Sequence, residues 1–440
     1  MPDFESTDFF RGRDLIADPY GYFEWLRAQC PVQREPHHDV VMVTGYDEAL
    51  AIYANPASFS SCNSPTGPFP GFPVVLEGDD VSALIEQHRG ELPFSDQILT
   101  FDPPVHTAHR ALLMRLITPK RLKENEEFMW RLADRQLDEF VDGGHGEFIS
   151  GYGQPFALLV IADLLGVPEA DHELFREQLG PRQHERSGNL GGTGDDDVLA
   201  HSPLEFLYAQ FSTYVRDRRA KPRDDVLTGL ATATFPDGSE PDVLDVARIA
   251  ANLFAAGQET SVRLFGTALQ RLAEDHELQE QLRARRELIP NFLEECLRFE
   301  SPVKGDFRLA RTTTTVGGVE IPAGTTVMVV NGAANRDPRK FECPSEFQLE
   351  RANARQHVAF GHGPHSCPGA PLARAEGRIT VERFLDRTSD IRISDTQHGP
   401  PDDRHYEYVP TYILRGLTRL HLEWTTNASD TRPSREEPPT

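Results

Sequence analysis

The chain has 440 residues, 38% of them hydrophobic, which is enough to bury a large core in one domain or two. Its formal net charge of -24 disfavours nucleic acid as a partner, because phosphate binding needs a basic footprint. No stretch approaches the roughly 18 apolar residues of a membrane span, and the acidic N-terminus shows no secretory signal. We therefore expect a cytoplasmic protein without membrane contact. The five cysteines are widely spaced, which argues against a disulfide framework and a zinc site.

Helical patterns alternate with loop signals in the first half of the chain. Stretches rich in Gly and Pro at 63–74 and 180–197 predict loops, because neither composition suits a helix or a central strand. Helical periodicity is present at 156–165 and again at 204–219. Residues 242–272 predict one long helix that crosses the interior, since its middle is apolar on most faces.

The second half changes to strand patterns. Alternating β-branched residues at 308–315 and 325–330, joined by a Gly-Gly turn, predict a small antiparallel sheet. A helical pattern returns at 370–385, and 406–422 predicts a short β unit. The polar tail at 426–440 has no apolar anchor and is expected to be disordered. The expected fold class is mainly α with minor β.

The most informative stretch is Phe360-Gly-His-Gly-Pro-His-Ser-Cys-Pro-Gly369, which places one thiol in a glycine-rich loop. Its glycines let the backbone approach a flat ligand closely. The predicted helix that follows directs its positive end toward Cys367, which favours the thiolate and lowers the pKa of a cysteine. The alternative interpretation is a buried structural cysteine beside a glycine turn.

A second motif lies within the long predicted helix, at Ala256-Gly-Gln-Glu-Thr260. Gly257 removes side-chain bulk where a ligand can lie, and Thr260 can bond a backbone carbonyl one turn back and open a kink. The acid Glu259 beside a hydroxyl suits the delivery of protons to oxygen. The alternative is an amphipathic helix with a solvent-facing glutamate and a core threonine.

The cysteine loop resembles the heme-binding loop of the cytochrome P450 family, Phe-Gly-x-Gly-x-His-x-Cys-x-Gly, and matches every fixed position. The resemblance implies the P450 fold, a helix-rich triangular prism with small antiparallel sheets, as a single catalytic domain over residues 1–425. It implies heme b (iron protoporphyrin IX) as cofactor and Cys367 as the iron ligand, whose thiolate pushes electron density into the metal. It also implies a catalytic pair in which Thr260 steadies bound oxygen and Glu259 relays protons.

The two heme propionates need cationic or hydrogen-bonding partners. Four residues match the propionate-contacting positions of the family, namely His106, Arg110, Arg308 and His365. The first two are four residues apart and therefore share one face of a helix. The alternative for each residue alone is a surface cation or a satisfied core histidine.

Other charged residues are expected to be structural. Glu295 and Arg298 are three apart on a predicted helix with apolar neighbours, and by the resemblance they belong to the scaffold, with Arg351 as third member. Lys304 and Asp306 stand where relatives often carry neutral residues. They are expected to pair with each other or with a propionate, or Lys304 meets an anionic substrate, and the sequence leaves these alternatives open.

Basic residues gather at 110–123 and at Arg374 and Arg378, although the chain is acidic. In the P450 family these elements flank the cysteine face of the heme, where a basic patch would steer an acidic electron carrier. The alternative is an ordinary solvated helix face. No flavin or nicotinamide fingerprint is evident, so the resemblance implies an external ferredoxin or flavodoxin with its reductase.

The leading interpretation is a monomeric monooxygenase that inserts one oxygen atom from O2 into a small, mainly apolar substrate. Hydroxylation is the default outcome, and epoxidation or O-demethylation would use the same oxidant. A mostly apolar pocket suits a terpenoid, steroid, aromatic or macrolide-like molecule. Two alternatives are a peroxide-driven enzyme of the same fold, against which the acid and hydroxyl pair argues, and a non-catalytic heme sensor.

Overall fold

The computed structural model of the chain describes residues 3–180 and 202–427. Apart from Gly180, the predicted loop at 180–197 lies outside the described residues, as does the tail from residue 428 onward. The helices of the first half are α1 Tyr20–Gln29, α2 Tyr46–Tyr53, α3 Ser82–His88, α4 Val105–Leu113, α5 Pro119–Phe140, α6 Gln154–Leu164, α7 His172–Leu179 and α8 Ser202–Ala220. The helices predicted at 156–165 and 204–219 are confirmed by α6 and α8.

The second half contains the longest described helix. It is preceded by Asp242, whose side chain accepts a hydrogen bond of 2.8 Å from the backbone of Asp245 and so satisfies a free N–H of the first turn. The helices are α9 Val226–Ala231, α10 Val243–Glu274, α11 His276–Ala284, α12 Ile289–Phe299, α13 Asn331–Ala334, α14 Ala370–Arg387 and α15 Asp395–His398. The predicted long helix and the helix after Cys367 are both confirmed. Helix α10 is continuous, so no break opens at Thr260.

Short strands form three sheets in the described residues. The strands are β1 Val32–Arg34, β2 Val41–Val43, β3 Phe59–Ser60, β4 His145–Glu147, β5 Asp306–Ala310, β6 Thr314–Val316, β7 Val319–Ile321, β8 Thr326–Val329, β9 Thr388–Ile393 and β10 His421–Thr426. The five-stranded sheet has the order β1-β2-β8-β5-β3, and its β2–β8 pair is parallel, with Val41 opposite Val327. The second sheet has the order β4-β10-β9, and β6 and β7 form a hairpin.

The sheet predicted after residue 302 is correct in its antiparallel β5–β8 pair and in the hairpin. The hairpin turns at Gly317 and Gly318, both with positive φ. The prediction was incomplete, because β1, β2 and β3 from the N-terminal part join the same sheet. The β unit predicted at 406–422 is wrong over most of its length, where isolated bridges such as Tyr408 to Leu417 replace a ladder. A strand begins only at β10 and runs through Thr426, past the start of the expected tail.

Helix α10 lies at the centre of the largest apolar cluster and contacts α6, α8 and α14. Its residues are buried on several faces because these helices surround it, as the apolar middle predicted. In contrast, Ala255 and Ala256 are exposed in the middle of this helix. The middle of α10 is therefore not completely covered by the helices that surround it. No helix in the described ranges is long and apolar enough to cross a membrane.

Candidate active site

The glycine-rich loop before α14 holds Cys367 in a defined position. The backbone N–H of Cys367 donates to the carbonyl of Phe360 at 2.8 Å, which closes the loop. Gly361 and Gly363 have φ values of 65° and 68°, a conformation that side chains disfavour. A Cβ on Gly363 would also lie 2.4 Å from the carbonyl oxygen of Tyr53. Glycine is therefore required at residue 363 by both conformation and space.

The thiol of Cys367 faces a recess. The side chain is exposed although protein atoms surround it closely on its other sides. Burial raises the pKa of Cys367, and the backbone N–H groups of Gly369 and Ala370 and the charge of Arg110 counteract this shift. The expectation of a lowered pKa is thus wrong for the protein alone, because desolvation exceeds the effect of the helix N-terminus. The donors around sulfur are nevertheless those that stabilise a thiolate ligand.

The four predicted propionate partners are brought together on one side of this recess. The rings of His106 and His365 are in contact, with centroids 3.9 Å apart and planes inclined by 31°. Arg110 donates to the carbonyl of Ser366 at 2.5 Å, beside the cysteine. Arg308 is buried and raises the positive potential at both histidines. Residues from α4, β5 and the cysteine loop therefore converge on one place.

Only the two arginines of this group carry charge near neutral pH. Burial and the charge of Arg110 lower the pKa of His106 to about 4. Burial and the charge of Arg308 lower the pKa of His365 still further. The ring of His365 also has protein partners, Ser61 Oγ at 3.1 Å and the backbone of Phe101. The histidines consequently act as neutral hydrogen-bonding groups, a state that the sequence did not predict.

The residues present fit heme. In the described part of the chain, neither Arg110 nor Arg308 has a carboxylate within ion-pair distance, and their hydrogen bonds go to backbone carbonyls and Ser64. Two cations held close together without anions are suited to two propionates. A single thiol with two N–H donors faces the same recess. This set of donors matches a thiolate-ligated heme in charge and in ligand type.

The sequence did not predict the polar cluster that surrounds Asp102. Asp102 is buried and accepts hydrogen bonds from Ser60 Oγ and from the backbone N–H of Ser61. It also forms ion pairs with Arg89 and with Arg311 at 3.3 Å. Asp102 thereby links the segment between β3 and α4 to the serine that bonds His365. The indication in the sequence was the position of Asp102 at the start of the segment that contains His106.

The acid and hydroxyl of the second motif point in opposite directions along α10. Thr260 Oγ1 donates to the carbonyl of Ala256 at 2.8 Å, which confirms the bond predicted one turn back. The carboxylate of Glu259 instead accepts from Arg263 Nη2 at 2.7 Å, one turn toward the C-terminus. A Cβ on Gly257 would lie 3.5 Å from Ile161, so this glycine faces α6 and does not clear space for a ligand.

The predicted triad is confirmed. Arg298 Nε lies 2.7 Å from Glu295 Oε2, and Arg351 Nε lies 3.0 Å from Glu295 Oε1. All three side chains are buried. Arg298 also donates to the carbonyls of Asn335 and Glu346, which fixes the segment before the cysteine loop. The remaining N–H groups are thus satisfied, as a buried ion pair requires.

The open question at Lys304 and Asp306 is settled in favour of structural roles. Lys304 is buried and donates to the carbonyl of Thr411, while Asp306 accepts from Tyr53 Oη at 2.6 Å. The two side chains do not form an ion pair with each other. Burial lowers the pKa of Lys304 to about 7.

The predicted basic patch is smaller than the sequence suggested. Four of its residues are paired with acids, Lys120 with Glu124, Arg121 with Asp163, Arg374 with Glu294 and Arg378 with Glu126. Arg115 and Lys123 are exposed and have no acidic partner within the described ranges. The positive charge of the predicted basic patch that is not neutralised by an acid therefore comes from few residues.

Comparison with known proteins identifies the family. The family model described as Cytochrome P450 matches residues 204–405. Cytochrome P450 144 of Mycobacterium tuberculosis is 33% identical over 422 residues, covering 95% of this chain and 92% of that protein. The 6-deoxyerythronolide B hydroxylase of Saccharopolyspora erythraea is 31% identical over 432 residues, covering 96% of this chain and 98% of that protein.

The fold agrees with solved structures. Substrate-free CYP150A6 of Mycobacterium marinum superimposes with a TM-score of 0.91 at 56% identity, covering 97% of this chain and all of that chain. The helix-rich fold, the cysteine loop and the relatives along the whole chain lead to one assignment. The chain belongs to the cytochrome P450 family and is a heme-thiolate monooxygenase with heme b as its cofactor.

Proposed function

We propose that this enzyme inserts one oxygen atom from O2 into a small, mainly apolar organic substrate, with hydroxylation as the default outcome. The supporting observation is the middle of α10, where the small apolar residues Ala255 and Ala256 are exposed and Glu259 and Thr260 follow. An apolar surface beside an acid and a hydroxyl suits a hydrocarbon-rich substrate and a reaction that consumes protons. One relative is named as the hydroxylase of 6-deoxyerythronolide B, which agrees with this class of reaction.

The proposed roles of the residues follow from their geometry. Cys367 ligates the iron, and Arg110 and Arg308 bind the propionates, while the neutral rings of His106 and His365 complete the cofactor site. When bound, heme supplies the chemistry of oxygen activation. Protein side chains orient the cofactor, exclude water from the recess and move protons.

Thr260 and Glu259 are proposed as the proton-delivering pair. The hydroxyl of Thr260 is fixed by its bond to the carbonyl of Ala256, and its oxygen remains able to accept a hydrogen bond. Glu259 is partly exposed and able to exchange protons with water. Because the sequence shows no flavin or nicotinamide fingerprint, we propose an external ferredoxin or flavodoxin with its reductase, docking near Arg115 and Lys123.

The remaining proposals concern the number of domains, the oligomeric state and the location of the protein. We propose a single catalytic domain that acts as a monomer in the cytoplasm. One apolar cluster contains residues of α4, α10, α14 and β10, far apart in sequence, which supports the single domain. Gel filtration of the heme-loaded protein together with limited proteolysis tests this proposal, and a stable dimer or two protease-resistant halves would overturn it.

Two measurements test the function. The reduced protein with carbon monoxide should show the strongly red-shifted Soret band of a thiolate-ligated heme, and Cys367→Ser should lose it. With a substrate found by its spin-state shift, Thr260→Ala should lower the product formed per NAD(P)H consumed. Thr213→Ala is the matched control, because Thr213 makes the same type of bond to Ala209 on the surface of α8. If both variants form the same amount of product per NAD(P)H consumed, the proposed role of Thr260 is excluded.

A peroxide-driven reaction is the second candidate function. Hydrogen peroxide brings both oxygen atoms, electrons and protons, so it does not require the pair on α10. Product formation with peroxide that exceeds the rate with any ferredoxin or flavodoxin system, and that survives Thr260→Ala, would favour this alternative.

A further inference from the structure

A buried lysine supports a turn at residues 411–413. Lys304 is only 4% exposed, and its Nζ atom donates to the carbonyl of Thr411. Its backbone N–H donates to the carbonyl of Ile413 at 2.6 Å, so one residue holds the chain on both sides of Tyr412. Burial of an ammonium group destabilises the folded state, and an apolar side chain at this place would avoid that effect. The turn that Lys304 holds therefore explains the lysine better than packing does.

Tyr412 reaches from this turn to the segment 61–67. Its Oη atom donates to the carbonyl of Thr66 at 2.7 Å. The tyrosine ring is buried and packs edge-on against the ring of Phe307, with centroids 5.8 Å apart. Phe307 in turn lies against Gly67, where a Cβ would come within 2.6 Å of the ring. The end of the segment is therefore held by a hydrogen bond from Tyr412 and by packing against Phe307.

The segment 61–67 contacts two of the four predicted propionate partners. Ser61 Oγ lies 3.1 Å from His365 Nε2, and Arg308 Nη1 donates to Ser64 Oγ at 3.4 Å. Asp102 holds the beginning of the segment, because it accepts from the backbone N–H of Ser61 at 2.8 Å. The segment is thus anchored at both ends, and the part between the anchors lies against the cofactor site.

Consecutive turns connect the two ends of the segment. The backbone N–H of Ser64 donates to the carbonyl of Ser61 at 2.9 Å, and the N–H of Gly67 donates to the carbonyl of Asn63 at 2.8 Å. The side-chain oxygen of Asn63 is buried without a hydrogen-bond partner among the described residues, so this oxygen does not stabilise the turns. The positions of the two serines therefore depend on the anchors at Asp102 and Tyr412.

We propose that Tyr412 is a positioning residue of the cofactor site. Through its hydroxyl it fixes the segment 61–67. The segment in turn fixes the side chains of His365 and Arg308, and Lys304 supports the turn that carries the tyrosine. This inference rests on the proposed function of His365 and Arg308 as propionate partners.

The experiment measures how firmly the protein holds heme and how the propionates are bonded. Heme transfer from the loaded protein to an excess of apomyoglobin gives the first quantity. The propionate bending modes of the resonance Raman spectrum give the second. Tyr412→Phe keeps the ring and removes the bond to Thr66. It should make heme transfer about fivefold faster, as expected for loss of one neutral hydrogen bond, and it should shift the propionate modes.

Two further variants separate positioning from a general loss of stability. Tyr214→Phe is the matched control, because Tyr214 is also buried and its hydroxyl donates to Asp171 at 2.7 Å. It should leave the transfer rate and the propionate modes unchanged, and equal effects of Tyr214→Phe and Tyr412→Phe would overturn the proposal. Lys304→Met removes the bond to Thr411 and should act in the same direction as Tyr412→Phe by a smaller factor. If Tyr412→Phe does not fold, an unchanged transfer rate in Lys304→Met would overturn the proposal.

A double-mutant cycle and one variant of the site distinguish failure of this inference from failure of the proposed function. Ser61→Ala combined with Ser64→Ala removes both contacts of the segment with the site, and Tyr412→Phe should add nothing to the rate in that background. Arg308→Gln should accelerate heme transfer and shift the propionate modes. If Arg308→Gln changes neither quantity, the proposed propionate role is wrong. If it changes both but Tyr412→Phe changes neither, or acts equally with and without the serines, the positioning role is wrong.

Discussion

Ser261 Oγ donates a hydrogen bond of 2.5 Å to Glu376 Oε2, which joins α10 to α14 one residue after Thr260. Both residues are buried, and no cation pairs with Glu376 in the described residues. Burial raises the pKa of Glu376 to about 8. The carboxyl group is therefore protonated at neutral pH, and the bond joins two neutral groups.

Glu376→Gln should make stability less dependent on pH. Between about pH 4.5 and pH 8 the folded protein keeps the proton on Glu376 while the unfolded chain releases it, so the free energy of unfolding falls as pH rises. Glutamine stays neutral and can still accept from Ser261. Relative to wild type, the variant should gain stability on the order of 4 kcal/mol between pH 5 and pH 8. Urea unfolding at both pH values measures this, and a difference independent of pH would contradict it.

Lys304→Met should have the opposite dependence on pH. Burial lowers the pKa of Lys304 to about 7 from 10.5, so the unfolded chain binds more protons than the folded protein between these values. Wild-type stability should therefore rise relative to Lys304→Met by roughly 2–3 kcal/mol between pH 7 and pH 9. The control is Lys120→Met, an exposed position. A constant difference between Lys304→Met and wild type over this range would show that the lysine does not titrate as described.

Gly363→Ala should abolish incorporation of heme. Alanine at this position meets the carbonyl of Tyr53 at 2.4 Å and must adopt a φ of 68°, so the cysteine loop cannot keep its conformation. The ratio of Soret to protein absorbance in purified protein measures heme content. Gly229→Ala is the matched control, because its added methyl meets no atom within 4 Å. Normal heme content in Gly363→Ala would show that the loop tolerates rearrangement.

Asp102→Asn should accelerate loss of heme. The substitution removes the charge that pairs with Arg89 and Arg311 and loosens Ser61, the partner of His365. Heme transfer to an excess of apomyoglobin should become about tenfold faster, equivalent to ~1.4 kcal/mol. Asp80→Asn removes an exposed aspartate that caps Ser82 and should leave the rate unchanged. Equal rates for wild type and Asp102→Asn would remove Asp102 from the cofactor site.

Much of the site was predictable because its chemistry is local in sequence. The cysteine loop carries its glycines and thiol within ten residues, and Thr260 finds its partner Ala256 on the same helix. The long helix was equally predictable, since its apolar pattern is continuous. Arg351 was identified by the resemblance, which supplied a partner 56 residues away from Glu295.

What the sequence did not predict depends on distant contacts. The strands β1, β2 and β3 have two or three residues each, too few for a periodic pattern. They are strands because β2 pairs with β8, β3 pairs with β5, and β1 pairs with β2. The charge of Arg374 seemed free in the sequence because its acidic partner Glu294 lies far away along the chain. Arg378 has a distant partner, Glu126, and also one four residues away, Glu382, which the sequence analysis did not consider. The neutral state of His365 likewise arises from burial and from Arg308.

The parallel pairing of β2 with β8 constrains how the enzyme is made. Val41 cannot pair with Val327 until the ribosome has synthesised the chain between them. At typical rates of synthesis this takes roughly 15 to 60 seconds. During this interval the early strands present unpaired edges, which are prone to aggregate. Such a high separation between paired residues also slows folding. The cofactor site, to which β5 contributes Arg308, is therefore completed only after most of the chain has been synthesised.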